Sequence, residues 1–549
     1  MNALRFAAIL FAIGTVSAQT AVPDAAPHVS IETVGPDGWR VRFGPTNLGG
    51  LLESEQGRGM WQPQMLPLLG MWQQMAGDET TFAAAKGRLL SYGGRVRLAV
   101  WMQAAPLERP MVQRLIVVLE GDGRTDMKTL AADVHQLQKQ LPGEWNTTEL
   151  GGAPVQTLHQ DGDALTAPVL VGQHLVIALD RSDQLSAAFA AATTMANAAT
   201  GKPPAPTTPA FHLDIDAAAL VARANKVGNE HENKAVQIFG LDSLARAHFT
   251  IGTAGPHLQF EVSQHFPTGP RGLFAAFCPP VQEVPTLQRA VTDKLGAWRI
   301  GHFDFRACYD TIWAAVQVLG DMDPAEMKKD MQAELGIDVG TDLIAHLTNE
   351  VLLLGSPLAG LDRPSEFSWT LAVRLRDAKA FGTSLDTLLQ KSKPMLSREE
   401  PTMVDGVELK RYGNMFGYDL WFAVAHDHFL FAGGRDAEEY LTKSLAALKA
   451  SADTKLASTA ATTAFANLTK ALPAGLNGLA RGDLDTLFAV PTDWWLMILG
   501  ELLPFPAPQT DDDPEQRAST RALLKQHNLS VLRTATGFAD GTWRWRVYW

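Results

Sequence analysis

The segment His426-Asp427-His428 sets two imidazoles one residue apart around a carboxylate, residue types that begin many metal sites. On a strand the two histidines share a face and can reach one ion, but no third ligand stands at a readable spacing. The segment also separates two apolar runs, Leu420 to Ala425 and Phe429 to Phe431, as the turn of a tight hairpin does. Polar residues belong in such a turn on structural grounds, so no metal and no cofactor is assigned to it.

Nucleophilic chemistry fares no better. An elbow serine needs glycine on both sides at a strand-to-helix turn; in Gly382-Thr-Ser384-Leu-Asp386 an aspartate replaces the second glycine, and the stretch falls inside an expected helix. His231-Glu232 runs into Asn-Lys-Ala rather than toward the second histidine of a zinc-protease helix, and neither a phosphate loop nor a dinucleotide-binding glycine pattern follows a strand. Arg481-Gly482-Asp483 matches an adhesion tripeptide by letters alone, at the end of an expected strand. Asp304 precedes a helical stretch and reads as its N-cap, while the Asp511 to Asp513 run lacks the alternating spacing of a calcium loop and reads as an acidic linker. Carboxylates far apart in the chain can still meet for acid-base work, which keeps a dispersed active site as the alternative to a chain without catalysis.

Two stretches offer contact surface instead of chemistry. Met60 to Met75 carries Trp61, Met65, Met71 and Trp72, and a second stretch carries Trp494, Trp495 and Phe505. Tryptophan supplies large apolar area and methionine an adaptable one, so both can line a groove for an apolar ligand, a polypeptide or a partner, although core filling uses the same residues. Pro63 and Pro67 argue against a regular core helix in the first stretch.

The first eighteen residues, with Arg5, an apolar run from Phe6 to Val16 and small residues before Gln19, have the pattern of a signal peptide cleaved after Ala18. The expected location is outside the cytoplasm, periplasmic or extracellular. No later stretch approaches eighteen uninterrupted apolar residues, so no transmembrane segment is expected in the mature chain. The 549-residue chain has 47 Lys+Arg against 59 Asp+Glu, a formal charge of −12, and no basic stripe interleaved with aromatics, which argues against nucleic acid as a partner. Its two cysteines, Cys278 and Cys308, would travel to an oxidising compartment, where a disulfide closing that loop is worth roughly 3 to 4 kcal/mol. Two buried thiols are the other reading: Phe305, Cys308, Ile312, Val316 and Leu319 recur at helical spacing, which places Cys308 toward a core in either case.

The elements that would position these residues come in two series, offset by about 255 residues when the hydrophobic patterns are superposed. Strand Arg114 to Leu119 and helix 126–141 correspond to strand Trp369 to Arg374 and helix 378–389. Strands 154–158 and 407–411 follow, then hairpins 168–178 and 420–431, then helices beginning near Ser182 and Asp436. The first hairpin carries Gly172-Gln173-His174 where the second carries His426-Asp427-His428. His212 to Asp216 parallels Leu479 to Asp483, and the closing strands 258–262 and 543–547 both alternate. Hairpins do not occur in a purely parallel sheet, so the expected class is α+β: two pseudo-repeated lobes, each a mainly antiparallel sheet with helices on one face. The lobes span 28–268 and 286–549, joined by a Pro/Gly-rich junction at 269–285. The alternating C-terminal residues 542–549 resemble the last strand of an outer-membrane barrel, but helical patterns occupy too much of the chain for a barrel.

The run from Glu334 to Glu350 ahead of a strand, set in this plan, resembles exported bacterial proteins of uncharacterised function built from duplicated β/α modules. The resemblance covers most of the second lobe and more faintly the first, and it implies a fold and an envelope location but no catalytic residues. The sequence thus points to a non-catalytic envelope protein acting as a binding or interaction module for an apolar ligand or an envelope polypeptide. A hydrolase with a dispersed site between the lobes is the alternative.

Overall fold

The computed structural model describes residues 26–55, 87–102, 112–139, 141, 143–160, 163–181, 184–199, 208–279, 291, 297–320, 323–355, 368–391, 396–398, 400–414, 419–451, 465, 476–483, 519 and 522–549. The chain forms two compact units, one running to Gly228 and resuming over Arg246–Val262, the other made of Asn229–Ala245 and Ser263–Trp549.

The first unit contains β1 (Val29–Val34), α1 (Pro36–Phe43), α2 (Asn47–Glu53), β2 (Arg95–Met102), β3 (Val112–Leu119), α3 (Met127–Gln138), β4 (Glu144–Leu150), β5 (Ala153–Gln160), β6 (Asp163–Thr166), β7 (Val169–Val171), β8 (His174–Asp180), α4 (Leu185–Asn197), β9 (Phe211–Asp216) and α5 (Ala217–Val227). The chain then gives α6 (Glu230–Phe239) to the second unit and resumes as β10 (Arg246–Ala254), turning at Gly255 into β11 (His257–His265). Every described pairing is antiparallel, in the order β10–β9–β1–β2–β3–β8–β6–β5–β4, with β7 also on β8. Local chemistry sets the helix starts: the Asp126 carboxylate accepts from the amides of Lys128 and Thr129, and that of Asp216 from Ala219.

Helices lie on both faces of this sheet, which corrects the expectation of one covered face. Ile116, Val118, Val176 and Ala178 pack with Ala188, Phe189 and Ala192 of α4, while Leu119 and Leu175 pack with Met127 and Leu130 of α3. The physical reason is the continuous apolar run of β3, Leu115 to Leu119, since a strand covered on one side only would alternate with polar residues. A cross-strand ion pair is buried in this sheet: Arg114 Nε lies 2.7 Å from Asp180 Oδ2.

The second unit continues with α7 (Gly272–Phe277), β12 (Ala297–His302), α8 (Phe305–Leu319), α9 (Pro324–Leu335), β13 (Leu347–Gly355), β14 (Trp369–Leu375), α10 (Ala378–Lys391), β15 (Leu396–Arg398), β16 (Thr402–Val404), β17 (Val407–Asn414), β18 (Asp419–Ala425), β19 (His428–Gly433), α11 (Ala437–Ser451), β20 (Leu476–Asp483), β21 (Val531–Ala539) and β22 (Thr542–Tyr548). Its antiparallel order is β22–β21–β20–β12–β13–β14–β19–β18–β17, with β15 and β16 both on β17. Here too both faces are covered: Tyr440, Leu441 and Leu445 of α11 meet Leu352, Ala372 and Leu430, and Phe381, Leu385 and Leu389 of α10 meet Val373, Tyr412 and Phe422. No helix among the described residues is long and apolar enough to cross a membrane.

Helix α8 starts on the expected cap, with the Asp304 carboxylate accepting from the Ala307 amide. Its apolar stripe is not uniformly inward: Ile312 is 53% exposed and Thr311 is buried in its place. The helix packs against α6, α7 and α9, so its buried surface is divided among helical neighbours rather than laid as one stripe on a sheet. Cys278 and Cys308 are free thiols, the first buried and the second half-buried. Burial pushes the Cys278 thiol up to about 12, which keeps it protonated and unreactive at neutral pH.

Candidate ligand groove

Strand β22 reads Thr-Trp-Arg-Trp-Arg-Val-Tyr, and its period of two sends Trp543, Trp545 and Val547 to one face and Arg544, Arg546 and Tyr548 to the other. The register carries the tryptophan face across the sheet. Trp545 stands opposite Thr536, and Thr536 opposite Gly478; one step along, Val547 pairs with Thr534, Thr534 with Ala480, and Ala480 with Arg299. Side chains thus shrink from indole through threonine to nothing, and a cavity of about 390 Å³ opens where they are small. The opposite face of these strands carries Trp298, Ile300, Leu479 and Ala535, which belong to the core beside α11.

Gly478 is required at the floor. A Cβ there would lie 2.9 Å from both the Ile300 carbonyl oxygen and Thr536 Oγ1, so any side chain would push the strands apart or displace the threonine. The indole of Trp545 is 37% exposed. Trp543 is half-buried, and its Nε1 is buried with no hydrogen-bond partner among the described residues. At one end His302 Nδ1 lies 3.0 Å from the Asn477 carbonyl oxygen, and Asn477 Nδ2 donates to the Pro279 carbonyl at 3.0 Å. The groove offers aromatic faces, hydroxyls and the Arg299 guanidinium. Among the described residues that line it, no nucleophile stands paired with a base.

A second cavity of about 310 Å³ lies between α10 and strands β17 and β18, where Gly382 leaves a gap above Leu385, Phe422 and Val424. At its rim Lys410 Nζ pairs with Asp386 Oδ1 at 2.5 Å. Ser384 is a half-buried residue within α10, as the helical reading of that stretch requires. In the first unit His248 Nδ1 lies 3.3 Å from Asp214 Oδ1 and the His212 and His248 rings are 5.8 Å apart, but Arg95 and Arg97 hold the neighbouring Glu32 at 3.5 Å. Among the described residues no group of three or more His, Cys, Asp or Glu side chains is arranged to hold a metal ion.

The hairpin histidines divide. His426 and Asp427, with φ of 50° and 57°, form the left-handed two-residue turn expected between β18 and β19. His428 is buried rather than solvated: its Nδ1 donates to the His426 carbonyl oxygen at 2.6 Å, its Nε2 has no partner among the described residues, and burial pulls its pKa below the ordinary 6.5. His174 of the first unit is equally buried and accepts from the Gly121 amide through Nδ1. Trp61, Met65, Met71, Trp72, Trp494, Trp495 and Phe505 lie outside the described residues, as does the Met1 to Ala18 segment. The Trp543 and Trp545 pair was legible as an alternating strand, but nothing local marks Gly301 and Gly478 as its floor.

No family model and no curated protein matches this sequence. Among solved structures, crystal forms III and IV of TP0453, a Treponema protein, match with TM-scores of 0.21 and 0.23 at 8% and 9% identity. Each match covers 44% of this chain and 77% of the other.

Proposed function

We propose that this protein is a non-catalytic binding module of the cell envelope, two lobes on one α+β plan, whose second lobe contacts its ligand in the groove beside β22. The observation that carries the reading is the groove itself: two tryptophans on one strand face above a floor of glycine and threonine. The signal pattern at Met1 to Ala18 supports export. The duplicated plan is supported by strand order, since β9–β1–β2–β3–β8 in the first unit and β20–β12–β13–β14–β19 in the second pair alike and each places a helix after its third and its fourth strand in chain order of that set. The Trp61 to Met75 and Trp494 to Phe505 segments remain sequence candidates for additional contact surface.

Native mass spectrometry of the full chain expressed with its N-terminal segment tests the reading. The expected result is a stoichiometric adduct that is lost on denaturation and depleted in Trp545→Ala. A clean mass for both proteins, even after incubation with the small-molecule fraction of an envelope extract, would count against a carried ligand.

A further inference from the structure

We propose that the groove beside β22 takes a glycan, a deduction that rests on the groove being the ligand-contact surface. Trp543 and Trp545 stand two residues apart on one strand face, roughly 6.6 Å along the chain, which gives each indole room for one sugar ring. A pyranose presents a C–H face that packs on an indole and a rim of hydroxyls that must be hydrogen-bonded when they leave water. The groove supplies both halves of that chemistry. Trp545 offers an exposed aromatic face. Trp543, half-buried on the same strand face, adds a second ring to that platform.

Around these rings the hydroxyls of Thr534 and Thr536 donate or accept, and the Arg299 guanidinium donates only. Gly301 and Gly478 keep side chains off the floor, so a flat ring can approach the backbone. A hydrocarbon chain would desolvate the Arg299 guanidinium and the threonine hydroxyls without pairing them, which costs rather than favours binding. An extended polypeptide gains most at a free sheet edge, whereas this groove lies over the face of paired strands. Among the described residues lining the groove none is a carboxylate, so they offer a cationic ligand no counter-charge.

The test is binding of the full chain to a panel of immobilised glucan, galactan, chitin-type and muramyl oligosaccharides, followed by calorimetry with the tightest. Sodium myristate and reduced, carboxymethylated lactalbumin serve as hydrocarbon and unfolded-polypeptide probes. Glycan binding that falls at least about tenfold in Trp545→Ala and in Arg299→Ala, both exposed positions whose loss should leave the thermal midpoint in place, supports the proposal. Binding of myristate or the polypeptide that depends on Trp545, with no glycan bound, overturns the glycan and keeps the groove as contact surface. Glycan binding indifferent to both substitutions overturns the assignment to this groove. If nothing binds, the glycan and the contact-surface reading fall together.

Discussion

His428 sits at the start of β19 with its imidazole buried, and burial holds it below the ordinary histidine value of 6.5. The folded protein therefore keeps it neutral while the unfolded chain takes up a proton as the pH falls through 6.5. The stability associated with the neutral ring is complete above that value and declines below it, down to the lowered folded pKa. In denaturant melts at about pH 7.5 and about pH 5.5, His428→Gln should lose less stability on acidification than the parent. Part of the slope should survive in the variant, because His28 is also lowered by burial. An unchanged slope would mean that water reaches the His428 ring. The Arg114 and Asp180 pair lives on the same scale: Asp180 is fully buried, so Asp180→Ala leaves a guanidinium unpaired in the core and should cost about 3 to 5 kcal/mol by chemical denaturation.

At the scale of elements, α10 carries a glycine that its own conformation does not need. A Cβ at Gly382 meets nothing within 4 Å, and the position lies inside a helix where glycine is disfavoured. Gly382→Ala should raise stability by about 0.5 to 1 kcal/mol, read as a higher thermal midpoint; a lower midpoint would show that the cavity beside it is filled in the working protein. Hairpins and helix starts were legible because their causes are local. The turn at His426 and Asp427 needs only polar residues between apolar runs, and the Asp304 cap needs only a carboxylate before a helix. The two-sided covering of β3 lay in its continuous apolar run, whereas the hairpins that set the expectation say nothing of how many faces are covered, and the exposure of Ile312 was missed because helical period does not say which neighbour a helix meets. The groove was half legible: alternation put Trp543 and Trp545 on one face, whereas Gly301 and Gly478 join them only through pairing between strands distant in sequence.

On the scale of the whole molecule, one segment belongs to a unit other than the one that flanks it in sequence. Residues 229–245 lie between β9 and β10 of the first unit, yet they belong to the second. Val236 of α6 is buried there, and Val236→Ala removes about 1.5 kcal/mol of apolar burial. Hydrogen exchange should accelerate in α8 and in β12 to β14 of that variant and stay unchanged in β1 to β3. Faster exchange in the first unit alone would reassign the segment. Oxidative footprinting read by mass spectrometry tests whether the groove is where this protein meets its ligand. With the small-molecule fraction of an envelope extract added, Trp545 should become protected while Met403, 64% exposed and distant from β22 in the strand order, reacts as before. Equal oxidation of Trp545 with and without the extract would mean that the ligand does not sit in this groove.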